Sequence, residues 1–213
     1  MTVSVHEPAT RSYNRIQRTR APIQAPQGHL PMLAFLVLLA AAVSRFVPHA
    51  LHGVGLNITA VGAGLLFFGA RRPRWQAAIA AAVLACSDVL LTKYVYGYPF
   101  HVRGYLVTWL WYAAVCLLAS GLLRKVTVLR VVAGVVASAT SFFLLSNLVV
   151  WIGGGMYPHS AAGLGACYLA ALPFYANDLV STGLLSAAFF GLPVLAARLA
   201  ETLQRQHQTG LGA

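Results

Sequence analysis

Residues 126–151 decide the fold class, and they read VTVLRVVAGVVASATSFFLLSNLVVW. The only charged residue in this run is Arg130. A helix needs about 20 mostly apolar residues to cross the hydrocarbon core of a bilayer. Strands of a membrane barrel would instead alternate between polar and apolar residues, which runs such as Leu33–Val43 do not do. The run therefore predicts a transmembrane helix.

The composition of the whole chain supports the same class. Of the 213 residues, 59% are hydrophobic and 9% are charged, whereas soluble domains carry about 25% charged residues. Most of the surface must therefore face something other than water, and the expected partner is the lipid bilayer. The net charge of +11 would suggest nucleic acid in a soluble protein. Here the basic residues lie mostly in short loops, so no nucleic-acid partner is expected.

The apolar runs predict an all-α, polytopic membrane bundle of about six transmembrane helices. Residues 1–29 are predicted to be a flexible basic tail, residues 30–200 the transmembrane domain, and residues 201–213 a C-terminal tail. Glycine and proline interrupt the segment Gly153–Asp178, which we expect to be partly helical and to fold back against the bundle. The predicted spans are Leu30–Val47, Asn57–Ala70, Trp75–Val95, Tyr105–Leu123, Val126–Trp151 and Leu179–Ala200.

The distribution of basic residues predicts the orientation. With these spans, all but three of the 15 Lys and Arg residues fall on one side. The three on the opposite side are Arg45, Lys93 and Arg103. The side that is rich in Lys and Arg faces the cytoplasm in membrane proteins. We therefore predict a multi-pass protein of the bacterial inner membrane with both termini in the cytoplasm.

Polar and aromatic residues collect in the three connections predicted on the outer side. An aromatic belt with ordinary solvated loop residues would account for the tyrosines and tryptophans, but it accounts less well for the histidines and asparagines. The candidate substrate-binding residues in these connections are His49, His52, Asn57, Tyr94, His101, Arg103, Asn147, Trp151, Tyr157, His159, Tyr168 and Asn177.

Asp88 is a further candidate substrate-binding residue, and it differs from the others because it lies inside the third predicted span. A carboxylate at membrane depth is costly and indicates function by default, with a partner expected. Lys93, Arg45 and Arg103 are the candidate partners. A structural ion pair or an interhelical hydrogen bond is an equally open interpretation.

Cys86 precedes Asp88 by two residues, near the middle of the same span. Buried cysteines are most often small apolar side chains that fill space, which is our interpretation of Cys116. Thiolates are also soft ligands for transition metals, so Cys86 is the candidate metal ligand.

Several classes of enzyme are excluded by missing motifs. The sequence has no His-Glu-x-x-His zinc motif, no Gly-x-Ser-x-Gly nucleophile elbow and no Walker loop for phosphate. With four acidic residues in the chain, no paired intramembrane carboxylates are available for general acid–base catalysis. No catalytic residue is predicted, and ATP hydrolysis, if required, must come from a partner.

Short motifs over roughly residues 45–195 resemble those of an uncharacterised bacterial integral-membrane family. Ala60 departs from that family's pattern, in which proline commonly follows the threonine. The motifs are Arg45-x-x-Pro48-His49, Asn57-x-Thr59, Leu66-Phe67-Phe68-Gly69-Ala70, Ser87-Asp88, Ser146-Asn147 before Trp151, Tyr157-x-x-Ser160-x-x-Gly163, Cys167-Tyr168 and Pro173-Phe174-Tyr175-x-Asn177.

The size, six spans and cytoplasmic termini are also similar to those of the S components of energy-coupling-factor (ECF) vitamin transporters. That resemblance implies a vitamin-binding pocket formed by outer loops and helix ends, and an ECF energising module as a possible partner. In character the chain is most similar to the BtuM group of solitary cobalamin transporters. This implies a membrane-embedded cysteine that coordinates cobalt while the upper cobalt ligand is removed, and Cys86 is the cysteine placed to match.

The leading hypothesis is a substrate-binding membrane protein for uptake of a vitamin-like small molecule, with cobalamin as the bound substrate and no other cofactor required. Residues 153–178 would then act as a lid over the pocket. One alternative is a membrane enzyme or redox protein that uses the outer histidines and a metal. Another is a structural membrane subunit whose polar residues satisfy one another.

Overall fold

The computed structural model describes residues 30–47 and 58–210. Within these ranges the protein is all-helical, as predicted, and has six α-helices. A 3₁₀ turn at Arg74–Gln76 precedes the third helix, which continues as a π-helical turn at Leu91–Val95. The helices are α1 Leu30–Ser44, α2 Val61–Arg71, α3 Ala77–Leu90, α4 Val102–Leu122, α5 Val128–Gly153 and α6 Ala161–Gly210.

In the described part of the chain, four helical stretches are long and apolar enough to cross a membrane: Arg74–Val95, Val102–Leu122, Val128–Gly153 and Ala161–Gln204. The other two helices are shorter, with 15 residues in α1 and 11 in α2. At 1.5 Å per residue, α1 is about 22 Å long and α2 about 16 Å, whereas the hydrocarbon core is about 30 Å thick. Within the described residues, α2 is therefore too short to cross the hydrocarbon core, and α1, whose first residue is also the first one described, is 15 residues long.

Helix α2 lies at the centre of the bundle. All nine residues from Val61 to Gly69 are buried, and the helix packs against α1, α4, α5 and α6. Glycine permits these close contacts. A Cβ at Gly69 would overlap the carbonyl oxygen of Cys116 on α4, and a Cβ at Gly64 would meet the Cβ of Ala41 on α1 at 2.6 Å. The glycines of this short helix thus allow close packing at the centre.

Consecutive helices run in opposite directions. Thr92, just after α3, bonds to Tyr105 near the start of α4, and Arg130 near the start of α5 bonds to the Leu122 carbonyl at the end of α4. The two ends of the bundle are therefore distinct. We name them the Arg45 end, where α1, α3 and α5 finish, and the Arg71 end, where α2 and α4 finish. The prediction that the Arg71 end is cytoplasmic stays a prediction.

Helix α6 differs from the sequence-based expectation. The last span was predicted at Leu179–Ala200, after a segment that folds back, but α6 begins at Ala161 and continues through Pro173 and Pro193 to Gly210. Only residues 154–160 separate it from α5. Proline is tolerated inside membrane helices because neighbouring groups satisfy the freed backbone carbonyls, so the prolines did not end this helix. Its 50 residues extend about 75 Å, beyond the thickness of a bilayer.

The predicted tail at residues 1–29 and residues 211–213 lie outside the described residues. Residues 48–57 also lie outside them, so the structure does not place the predicted site residues His49, His52 and Asn57.

Candidate functional site

Asp88 lies on α3 with only 2% of its surface exposed, and side chains from α4 and from the residue after α1 bond to it. Its Oδ1 atom accepts a hydrogen bond from Arg45 and forms an ion pair with it. Arg45 directly follows α1. Its Oδ2 atom accepts hydrogen bonds from Trp109 Nε1 at 2.9 Å and from the Tyr112 hydroxyl at 3.3 Å, both on α4. The carboxylate therefore connects the end of α1 to α3 and α4.

Of the three predicted partners of Asp88, the structure selects Arg45. The same guanidinium donates from Nη1 to the Leu84 carbonyl at 3.2 Å and to Ser87 Oγ at 2.5 Å. A guanidinium carries five N–H groups, and three of them are used in these bonds within the described residues. The Arg45 side chain is 18% exposed. Two of its N–H groups thus have no acceptor among the described residues.

The start of α2 lies beside this ion pair. Ser44 Oγ accepts a hydrogen bond from the Ala60 backbone N–H at 2.9 Å and donates to the Ala41 carbonyl at 2.7 Å. Ala60 is the N-cap of α2 and provides no side-chain cap. The first N–H groups of a helix have no partner within the helix and carry about half a positive charge together. Through Ser44, the N-terminus of α2 is therefore linked to the residue next to Arg45, and both the helix N-terminus and Arg45 carry positive charge.

An aromatic stack adjoins Asp88. The rings of Phe100 and Tyr105 are stacked with centroids 4.9 Å apart, and Trp109 lies 6.2 Å from each of them. The Tyr105 hydroxyl bonds to Thr92 Oγ1 at 2.6 Å, inside the π-helical turn. Turns of π-helix inside α-helices are frequent at functional sites. The stack offers flat apolar surface next to the charged pair.

Cys86 does not join this cluster. Its side chain is exposed on the surface of the bundle, whereas Asp88 is buried. Successive residues of a helix are about 100° apart, so positions two apart lie on nearly opposite faces. Among residues 30–47 and 58–210, no group of three or more His, Cys, Asp or Glu side chains could hold a metal ion. Cys116 is buried, as expected of a space-filling thiol, and donates to the Leu65 carbonyl at 3.6 Å.

The predicted residues of the second connection lie apart from Asp88. Tyr94, His101 and Arg103 are all exposed at the Arg45 end. Tyr94 lies within the π-helical turn, His101 is the N-cap of α4 and Arg103 lies in its first turn, and no side-chain hydrogen bond of theirs is found in the described part of the chain. The structure leaves them on the outer surface near the site.

The predicted residues of α5 and α6 mostly bond to their own hairpin. Trp151 Nε1 donates to the Pro158 carbonyl at 2.9 Å, while His159 Nε2 lies 2.8 Å from the Trp151 carbonyl. The Tyr168 hydroxyl donates to the Leu144 carbonyl at 2.8 Å. These contacts fix the turn between the two helices. Three further predicted residues are half-buried in the same region: Tyr157, Asn177 and Asn147, the last of which donates to the Phe143 carbonyl at 2.8 Å.

A groove opens between α4 and α5 near the same end of the bundle. Its volume is about 170 Å³, and its lining includes Thr108, Trp111, Phe142 and Ser146. Pockets for drug-sized ligands are typically about 300–1,000 Å³. This groove alone is therefore too small for a corrinoid.

Sequence reasoning missed Asp178 as a site residue because it placed this carboxylate in a connection between spans. The structure places it inside α6, where Thr182 Oγ1 donates to its Oδ1 atom at 3.4 Å. A signal was present in the sequence: Asp178, Thr182 and Ser186 follow at intervals of four residues. That spacing puts three polar side chains on one face of a helix.

Residues 25–204 match the protein family described as "Family of unknown function (DUF6580)". The chain belongs to this family. The match includes every helix described above except the last turns of α6, and both Asp88 and Asp178 lie within it. No curated protein and no solved structure matches the chain. The resemblance to ECF S components and to the cobalamin transporters among them stays a prediction, and the function must be argued from the site.

Proposed function

We propose that the protein is an integral membrane protein that binds a small, polar, vitamin-like molecule for uptake, and that Arg45 and Asp88 lie at the centre of its binding site. The observation that carries the proposal is the buried ion pair, because charged groups at membrane depth are costly and are retained mostly for function.

The site favours a ligand that carries an acidic group. The two remaining N–H groups of Arg45 form part of a planar fork that suits a carboxylate or a phosphate. The N-terminus of α2 adds further donors, and in membrane transporters the buried N-termini of broken helices point at anionic substrate groups. The stack of Phe100, Tyr105 and Trp109 provides a surface for an apolar or aromatic part of the same molecule.

Cobalamin remains the specific prediction for the ligand. The role of Cys86 as cobalt ligand requires that its thiol reach a bound corrinoid from the exposed side of α3. The visible spectrum of the protein purified from cells supplied with cobalamin tests this prediction. A cobalt-bound chromophore that forms in wild type but not in Cys86→Ser would support it, and a colourless wild-type protein would contradict it.

A structural role is the second candidate, and the internal bonds of the pair favour it. Both Asp88 oxygens and three Arg45 N–H groups already bond to the protein. In that case the pair would hold α1 against α3 and α4 and would bind no ligand.

Thermal unfolding of the purified protein separates the two candidates. The probes are cobalamin, inorganic phosphate and acetate, each titrated at constant ionic strength. A ligand at a hundred times its Kd raises the free energy of unfolding by about 2.7 kcal/mol. Arg45→Lys keeps the positive charge but loses the fork, so we expect this variant to lose the response.

Lys93→Ala is the matched control, because Lys93 is an exposed cation at the same end of the bundle. We expect it to respond to the probes as wild type does. A response of Arg45→Lys equal to that of wild type, or stabilisation by none of the probes, would contradict the ligand site and favour the structural role.

A further inference from the structure

Asp178 is a second carboxylate within the apolar part of the bundle, and it has no ion-pair partner among the described residues. It lies in α6, half-buried. Among the described residues, the single ion pair within 4 Å is that of Arg45 and Asp88. The helices packed against this part of α6 are α5 and α2, and their only charged residues are Arg130 and Arg71, each near the Arg71 end. The Asp178 carboxylate is therefore not neutralised by a neighbouring helix.

Three hydroxyl groups on α5 and α6 are buried, and one of them, that of Thr182, bonds to this carboxylate. Ser138 of α5 is 1% exposed, and Thr182 and Ser186 of α6 are fully buried. The Oγ atoms of Ser138 and Ser186 have no hydrogen-bond partner in the described part of the chain. Buried polar atoms without a partner are rare in native structures, and each needs an explanation such as an unseen water or ion.

Two of these hydroxyls converge on one point. The position that a Cβ would take on Gly62 lies 2.7 Å from Thr182 Oγ1 and 3.2 Å from Ser138 Oγ. Thr182 Oγ1 also lies 3.4 Å from Asp178 Oδ1. The absence of a side chain at Gly62 thus allows oxygens from α5 and α6 to lie together beside the first turn of α2.

The chemistry of these oxygens points to a cation. Carboxylate and hydroxyl oxygens are hard ligands that suit hard cations. The N-terminus of α2 carries about half a positive elementary charge and repels a cation. The full negative charge of the Asp178 carboxylate is larger, so attraction exceeds this repulsion. A proton could bind to the carboxylate alone. A metal cation needs several oxygen ligands, and the Ser138 hydroxyl, which has no partner among the described residues, offers an additional one.

We propose that the junction of α2, α5 and α6 binds a monovalent metal cation of the size of sodium, with Asp178 as the charged ligand and the hydroxyls of Thr182 and Ser138 as neutral ligands. Ser186, one turn further along α6, provides the next hydroxyl towards the Arg71 end. This site is separate from the Arg45–Asp88 site and does not depend on the function proposed for it.

The first turn of α2 connects the two sites. Ala60 at its start bonds to Ser44 beside the ion pair, and Gly62 contacts the hydroxyls of the cation site. A cation at the junction would therefore fix the N-terminus of α2 in place.

The test uses the full-length purified protein in detergent. Binding of radioactive sodium is measured directly, and thermal unfolding is followed while choline chloride is replaced by sodium chloride at constant ionic strength. For wild type we expect saturable binding and a matching rise in melting temperature. Asp178→Asn should abolish both, and Ser138→Ala should weaken sodium binding by about tenfold, because it removes one coordinating oxygen.

Ser120→Ala is the matched control, because its hydroxyl on α4 bonds to the Leu117 carbonyl of the same helix, and it should bind sodium as wild type does. If Asp178→Asn does not fold, Ser138→Ala and wild type still decide the question through direct binding. Absence of sodium binding in wild type, or equal binding in wild type and Ser138→Ala, would overturn the proposal. A stability that depends on pH through Asp178 but not on sodium would overturn it as well, and would make Asp178 a protonation site.

Discussion

Replacing Asp88 by asparagine removes one charge while it nearly preserves the shape of the side chain. Arg45 would then be left without its counter-ion beside the buried carbonyl of Leu84. Removal of one partner from a buried ion pair lowers the free energy of unfolding by about 3–5 kcal/mol. Trp109 and Tyr112 now donate hydrogen bonds to the carboxylate, and in the variant they would donate to the neutral amide oxygen of the asparagine. Those bonds would be weaker, because charge-assisted hydrogen bonds are about twice as strong as neutral ones. We therefore expect a loss near the upper end of that range.

The measurement is the free energy of unfolding in mixed micelles, compared across a double-mutant cycle. The cycle contains wild type, Asp88→Leu, Arg45→Met and the double variant. An apolar pair of similar size can replace a buried ion pair at little cost, so the double variant should be more stable than either single variant. Glu201→Gln, near the C-terminal end of α6, is the control for loss of a carboxylate and should change stability by less than about 0.5 kcal/mol. Additive losses in the cycle, or a loss below about 1 kcal/mol for Asp88→Asn, would refute the reasoning.

Two further predictions follow from packing and exposure. Gly69→Ala should lower the free energy of unfolding by about 1–3 kcal/mol, because the new Cβ would overlap the carbonyl oxygen of Cys116. The control is Gly121→Ala, whose new Cβ has no atom within 4 Å and which should leave stability unchanged or raise it. Equal losses of stability in the two variants would contradict the packing. In the folded protein in detergent, a maleimide should label Cys86, which is exposed, but not Cys116 or Cys167, which are buried. Mass spectrometry of labelled peptides checks this, and labelling of all three thiols at one rate would contradict the placement of Cys86.

The helices themselves could be predicted from local sequence. Runs such as 126–151 are long and apolar, and hydrophobicity alone places them in lipid. The ends were less certain: α2 begins at Val61 instead of Asn57, and α6 begins 18 residues before the predicted start at Leu179. Pro173 accounts for the second difference, since its effect on a helix depends on the neighbours that satisfy the freed carbonyl groups.

The candidate site could be predicted only in part. The position of Asp88 in an apolar run was sufficient to identify it as exceptional, and the spacing of Cys86 and Asp88 could have shown that they face apart. The spacing could not show which of the two faces inward. The partner could not be chosen either, because Arg45 and Asp88 are 43 residues apart in sequence and meet only when α1 packs against α3.

By itself, the sequence determined that this protein is an all-helical membrane bundle with a costly carboxylate in its third helix. These properties depend on composition and on runs within one segment. Only the tertiary structure decided that Arg45 neutralises Asp88, that Cys86 lies outside the cluster, and that Asp178 lies within a helix with no ion-pair partner among the described residues. Those properties depend on which faces of distant helices meet, which close packing between small residues such as Gly62 and Gly69 determines.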